Sequence, residues 1–259
     1  MPTPFNVEKE TQAVFNTVKN AGVDTSQFSM EVKLFADVSG SFQDEYRAGL
    51  VDPFFNAAKA IANAIDPDKK VQVVGFSDKA ADTGDYEITN ENIVQDFLNR
   101  SRNAGILWSG TDYAKGLAIL REDAKAVSVA KSVASGFGSA LKGLFGSKPS
   151  PAAQTGATSG KKPWLVMFVS DGEDFGSESK FNEILKEFAS HGIFTVLIGA
   201  NSDENVTFSR LVKAAKDIDG VTFHRISDIT GIQTTDLYAK IFNAEFVNWY
   251  SAYKAANPA

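Results

Sequence analysis

The stretch "LFADVSGSF" (Leu34–Phe42) begins as an unbroken apolar run and ends in small hydroxyl residues, with Asp37, Ser39 and Ser41 two positions apart. Runs of the same kind recur along the chain: "VKLFADVS" (Val32–Ser39), "VQVVGFS" (Val71–Ser77), "WLVMFVS" (Trp164–Ser170) and "FTVLIGA" (Phe194–Ala200). A run that stays apolar at both alternating positions belongs to a strand covered on both faces, which is the condition of a parallel sheet. Helical periodicity occupies the intervals, over Phe42–Ile65, Glu91–Arg102, Tyr113–Ala126, Lys180–His191 and Phe208–Lys216. The alternation predicts βαβ units and therefore an α/β fold: a doubly wound, mainly parallel central sheet flanked by helices in three layers.

The remaining segments fit around that sheet. A weaker strand, "VTFHRIS" (Val221–Ser227), precedes a closing helix over Thr235–Ala255 that carries Leu237, Ile241, Phe242, Phe246 and Trp249 on one face. "DYEITNEN" after the second run suits a short edge strand, with Asn90 and Asn92 as helix-start residues. Val7, Val14, Phe15 and Val18 give Phe5–Val23 a helical period. Residues 1–28 are accordingly expected as a helical extension, packed beside the closing helix, and residues 29–259 as the domain itself. An insertion is expected at about 127–162. Val129, Val133, Phe137, Leu141 and Leu144 there repeat at helical spacing and predict a helix laid on the core, and the Gly-, Ser-, Ala- and Pro-rich stretch that follows predicts mobility from about Ser147 to Lys162.

Composition narrows the function classes. A chain of 259 residues, 43% hydrophobic with 20 phenylalanines, can bury a large core. Its net charge of −6 is spread along the sequence, leaving no basic patch to displace counterions from nucleic acid. The absence of cysteine removes disulfides, thiolate zinc sites and cysteine nucleophiles. No apolar run approaches the length of a membrane span, and "MPTPFNVEKETQAVF" lacks the basic-then-apolar pattern of a secretory leader. A soluble, cytoplasmic protein is expected. Its oligomeric state is not readable from the sequence.

Three oxygen-bearing motifs stand out, and each has an ordinary explanation. Ser41 with Asp44 resembles a capping box, Thr111 in "WSGTDYAKGL" suits a helix cap, and "SDGED" (Ser170–Asp174) suits an Asp-Gly turn. Their joint placement argues for more. "DVSGS" and "VSDGED" both follow buried strands, and "SGTD" opens a helix between them. In an open α/β sheet the carboxyl ends of the strands converge on one crevice, where ligands bind. Hydroxyl and carboxylate oxygens gathered there are hard ligands suited to Mg²⁺ or a similar divalent ion.

The residues Asp37, Ser39, Ser41, Thr111 and Asp171 resemble the metal-ion-dependent adhesion site of the von Willebrand factor type A family, whose pattern is Asp-x-Ser-x-Ser, then a distant Thr, then a distant Asp. The resemblance extends over roughly residues 30 to 250. "DVSGSF", "SGTDYA" and "VSDGED" look most like the bacterial and phage branch associated with tellurium resistance and stress response. It implies Mg²⁺, with Mn²⁺ or Ca²⁺ as alternatives, held directly by the Ser39 and Ser41 hydroxyls, directly or through water by Thr111, and through water by Asp37 and Asp171. It implies binding rather than catalysis, with a partner protein supplying an Asp or Glu to the metal. Asp112, Glu173 and Asp174 add negative charge beside this set and are expected as solvated loop residues.

Enzyme readings find less support. The nucleophile elbow G-x-S-x-G is absent, His191 stands at a helix end before Gly192, and His224 alternates within a strand. "GATSGKKP" fails the spacing of a phosphate-binding loop, and a haloacid-dehalogenase-type nucleophile would want an acid where Ser39 stands. The enzyme alternative that remains is Mg²⁺-dependent phosphoester hydrolysis with Asp37 and Asp171 as direct ligands, and it lacks an evident base or phosphate-binding arginine.

Overall fold

The computed structural model describes residues 5–124, 162–172 and 174–257. The expected insertion, apart from Lys162, lies outside the described residues, as does Glu173. Six strands form one sheet: β1 (Glu31–Asp37), β2 (Lys70–Phe76), β3 (Ala80–Glu87), β4 (Trp164–Ser170), β5 (Ile193–Ala200) and β6 (Val221–Ile226). Their order across the sheet is β3-β2-β1-β4-β5-β6, parallel throughout except for β3, which runs antiparallel to β2. The edge strand anticipated near "DYEITNEN" therefore starts earlier, at Ala80, and forms a hairpin with β2.

The helices are α1 (Val7–Asn20), α2 (Gln43–Arg47), α3 (Asp52–Ile65), α4 (Ile93–Asn103), α5 (described over 113–124), α6 (Glu178–Ser190), α7 (Ser209–Asp217), α8 (Thr234–Ile241) and α9 (Ala244–Ala256). Alternate residues of the same strands enter two separate cores. Leu34, Val73, Met167 and Val196 pack under α1, α3, α4, α8 and α9, whereas Phe35, Val74, Phe168 and Leu197 pack under α5, α6 and α7. This is why the central runs read as continuously apolar: both faces of β4 and β5 are buried at every position.

Two segments read as single helices are each divided. Gly49, at φ +71°, breaks Phe42–Ile65 into α2 and α3, and Pro53 sits in the first turn of α3, where its missing N–H costs nothing. Thr235–Ala255 divides at Asn243, whose side chain accepts the Phe246 N–H and starts α9 afresh. The N-terminal helix does pack beside the closing segment, and on α3 as well. The Glu10 carboxylate accepts from Thr234 Oγ1 (2.6 Å) and Tyr238 OH (3.0 Å) of α8, and Asn63 of α3 donates to Thr11 Oγ1 (2.8 Å). Among the described residues no helix is long and apolar enough to cross a membrane.

Candidate functional site

The chain winds to one side of β1 through β2 and to the other through β4, so the crevice of the sheet lies at the carboxyl ends of β1 and β4. Their register pairs Ala36 with Val169, so Asp37 and Ser170 emerge side by side. Asp37 is fully buried and its carboxylate is held on both oxygens. Ser39 N–H donates to Oδ1 (2.8 Å), and Ser170 Oγ donates to Oδ2 (2.7 Å). Ser170 is held in turn by Tyr113, whose hydroxyl lies 2.9 Å from Ser170 Oγ and whose ring packs edge-on against Phe168 at 5.1 Å. The floor of the crevice is thus a stacked aromatic layer, with Phe76 against Phe168 at 4.6 Å, and the polar groups stand directly above it.

The three motifs meet here. The Ser39 and Ser41 hydroxyls lie 3.1 Å apart. The loop leading to Thr111 is stitched to them by a bridge between Ser39 and Ser109 and by Gly40 N–H donating to Ser109 O (2.8 Å). Phe175 N–H donates to Thr111 O (2.9 Å), joining that loop to the one after Asp171. Asp37, Ser39, Thr111 and Asp171 are all buried, and Ser41 is exposed at the rim. Trp108, just before this loop, has φ +59°, a conformation that strains a bulky side chain by on the order of 1 kcal/mol or more. Its N–H donates to Val38 O (2.7 Å) and its ring packs against Tyr46 at 5.7 Å, which together hold it there.

The ordinary explanations do not account for two of the motifs. Phe42 occupies the capping position of α2 and no side chain caps the helix, so Ser41 forms no capping box. Helix α5 is capped by Asp112, which accepts the Lys115 N–H (3.2 Å), and not by Thr111. Both hydroxyls are therefore spared local helix-capping duty while sitting in the crevice. The Asp-Gly turn is present, with Gly172 at φ +115°.

Burial dominates the electrostatics of the crevice. Burial pushes the Asp37 carboxyl up to about 7, and the Asp171 charge adds to that push, against hydrogen bonds from Ser170 and Ser39 that favour ionisation. Burial also holds the Tyr113 phenol well above its ordinary range, so it stays a neutral hydrogen-bonding group. Among the described residues no three acidic or histidine side chains are grouped so as to hold a metal ion by themselves, and the crevice brings together two carboxylates, Asp37 and Asp171, and the hydroxyls of Ser39, Ser41 and Thr111.

Asp174 departs from the expectation of a solvated loop acid. Its side chain is 2% exposed, its Oδ1 accepts N–H groups from Tyr113 (3.1 Å) and Gly176 (2.8 Å), and its Oδ2 pairs with Arg210 at the start of α7. Asp112 is also more than a solvated charge, since it caps α5 and lies 3.6 Å from Lys115 Nζ.

Comparison with known proteins bears on this arrangement. A family model described as vWA-TerF-like, a vWA found in the TerF C terminus, matches residues 151–258, a span that includes Asp171 and excludes Asp37, Ser39, Ser41 and Thr111. No curated protein matches the chain. Among solved structures, the proximal thread matrix protein 1 of the mussel byssus is similar at 13% identity and a TM-score of 0.50, over 86% of this chain and 48% of that one. A mutant of the PilB minor pilin from Streptococcus sanguinis is similar at 12% identity and a TM-score of 0.52, over 87% of this chain and 64% of that one. A von Willebrand factor type A protein from Catenulispora acidiphila has 13% identity and a TM-score of 0.48, over 83% of this chain and 42% of that one. The chain spans about half the length of the first solved structures it matches. At these identities the likeness is one of fold. The family match concerns residues 151–258 alone, and the sheet order is that of a doubly wound, mainly parallel α/β domain.

Proposed function

We propose that this chain is a protein-binding module whose contact is made through a divalent cation, Mg²⁺ by preference and Mn²⁺ or Ca²⁺ as alternatives. The observation that carries the reading is the pair of buried carboxylates, Asp37 and Asp171, that repel one another beside two hydroxyls 3.1 Å apart. Two buried acids of like charge cost free energy that a cation offsets, and an all-oxygen donor set fits a hard ion. Ser39, Ser41 and Thr111 would hold the ion through their hydroxyls, with Asp37 and Asp171 acting through water.

When bound, the ion supplies a positive centre that accepts an anionic oxygen. The chain's own groups would keep that centre electron-poor, since uncharged hydroxyls and not carboxylates would make the direct bonds. A partner's Asp or Glu can then complete the coordination. Ser41 at the rim leaves the crevice open on that side, and Phe175, 77% exposed, offers an apolar surface to a neighbouring partner residue. The setting we propose, a tellurium-resistance or stress-response system, rests on the resemblance of "DVSGSF", "SGTDYA" and "VSDGED" to that branch of the family. Hydrolysis of a phosphoester has less support: Arg210, which lines the adjoining cleft with Gly172 and Asp174, is taken up by Asp174 and by Gly176 O (2.8 Å).

The test is thermal. Mg²⁺ at 100 times its dissociation constant should stabilise the fold by about 2.7 kcal/mol, an effect that EDTA reverses. Ser39→Ala, Thr111→Ala and Asp171→Ala should each abolish the response. An unchanged response in any two of them sinks the proposal.

A further inference from the structure

The pairing of Asp174 with Arg210 reaches across three loops and calls for an explanation of its own. Asp174 belongs to the loop after β4, three residues beyond Asp171. Through Oδ1 it accepts the Tyr113 N–H, two residues beyond Thr111, and so fastens that loop to the start of α5. Through Oδ2 it pairs with Arg210, and the same guanidinium nitrogen donates to Gly176 O (2.8 Å). Arg210 is not free to follow the loop, because it lies in the first turn of α7. Phe208, the residue that starts that helix, is buried at φ +50° and its ring packs 5.7 Å from Phe223 of β6. The arginine thus reaches from a helix fixed on the sheet to the loop that carries one candidate metal residue, and Asp174 passes the constraint to the loop that carries another.

We infer that Asp174 and Arg210 are positioning residues of the metal site, holding Thr111 and Asp171 at the mutual spacing that cation binding needs. The inference rests on the reading of the site given above. Removing an outer partner that orients metal ligands typically weakens metal affinity 10- to 100-fold. The sign of the effect separates this role from plain electrostatics. Arg210 is a positive charge near a cation site, so its removal would by charge alone tighten binding. A positioning role demands the reverse.

The experiment is calorimetric titration of Mg²⁺ into the full chain at a temperature well below melting, for wild type, Arg210→Ala, Arg210→Lys and Lys115→Ala. Arg210→Ala should bind at least 10-fold more weakly than wild type although its circular dichroism is unchanged. Arg210→Lys should recover part of the loss, because it restores the charge and one donor without the fork. Lys115→Ala removes an exposed positive charge at the start of α5 and should bind as wild type or tighter. If Arg210→Ala does not hold its fold, Arg210→Gln takes its place with the same expectation. Equal or tighter binding in the Arg210 variant overturns the inference and leaves the site standing. Silence in wild type instead overturns the site.

Discussion

Replacing Asp37 with Asn should stabilise the metal-free protein at alkaline pH, against the usual effect of altering a fully buried, hydrogen-bonded residue. Burial, with Asp171 adding to it, raises the folded-state value of this carboxyl from 3.8 to about 7. The fold therefore prefers the neutral acid. This group's contribution is fully present below about pH 3.8, is lost as pH rises toward 7, and is level above that. At 1.36 kcal/mol per pH unit the ionised form costs the metal-free fold on the order of 4 kcal/mol. Asn is nearly isosteric, keeps an acceptor for the Ser39 N–H and carries no charge to repel Asp171. Urea unfolding in EDTA from pH 4.5 to 8.5 should show Asp37→Asn gaining on wild type as pH rises, reaching an advantage of up to about 4 kcal/mol at pH 8. Adding Mg²⁺ should narrow the gap, because wild type alone gains from the ion. Asp37→Asn less stable than wild type at pH 8 in EDTA, or a difference that does not change with pH, would refute the reasoning.

Four substitutions separate site residues from structural ones. Asp112→Ala should cost about 1 kcal/mol through loss of the α5 cap while the metal response survives, and Thr111→Ala should do the opposite, both read by thermal melts with Mg²⁺ and with EDTA. Ser41→Ala should change metal-free stability by less than about 0.5 kcal/mol, because the residue is exposed and caps nothing, yet should lose the Mg²⁺ shift. Gly116→Ala should destabilise by about 1–3 kcal/mol, since a Cβ there would come 2.9 Å from Phe76 Cγ where α5 crosses the sheet; urea unfolding checks this.

The sheet was legible because burial on both faces writes itself locally, as apolar runs that are continuous in β4 and nearly so in β1, β2 and β5. The helix breaks at Gly49 and Asn243 were missed because apolar periodicity continues across them, whereas a break depends on backbone conformation and capping. The five candidate residues were read from motif order and strand context. Their surroundings were not. Asp174 reads as one acid in an acidic loop, and its burial depends on Arg210, 36 residues away, which no local pattern links to it. That Asp112 and not Thr111 caps α5 was equally hidden, since both are good cap residues in adjacent positions and only the packed loop decides between them.

The most direct test of the central claim is the anomalous difference density of Mn²⁺ in crystals of this protein grown with the ion. The account predicts one peak in the crevice at the carboxyl ends of β1 and β4, at direct bonding distance from the Ser39 and Ser41 hydroxyls, with Asp37 and Asp171 reaching it through water. A peak bonded directly to both carboxylates and to neither serine, or a crevice without a peak at saturating Mn²⁺, would contradict it.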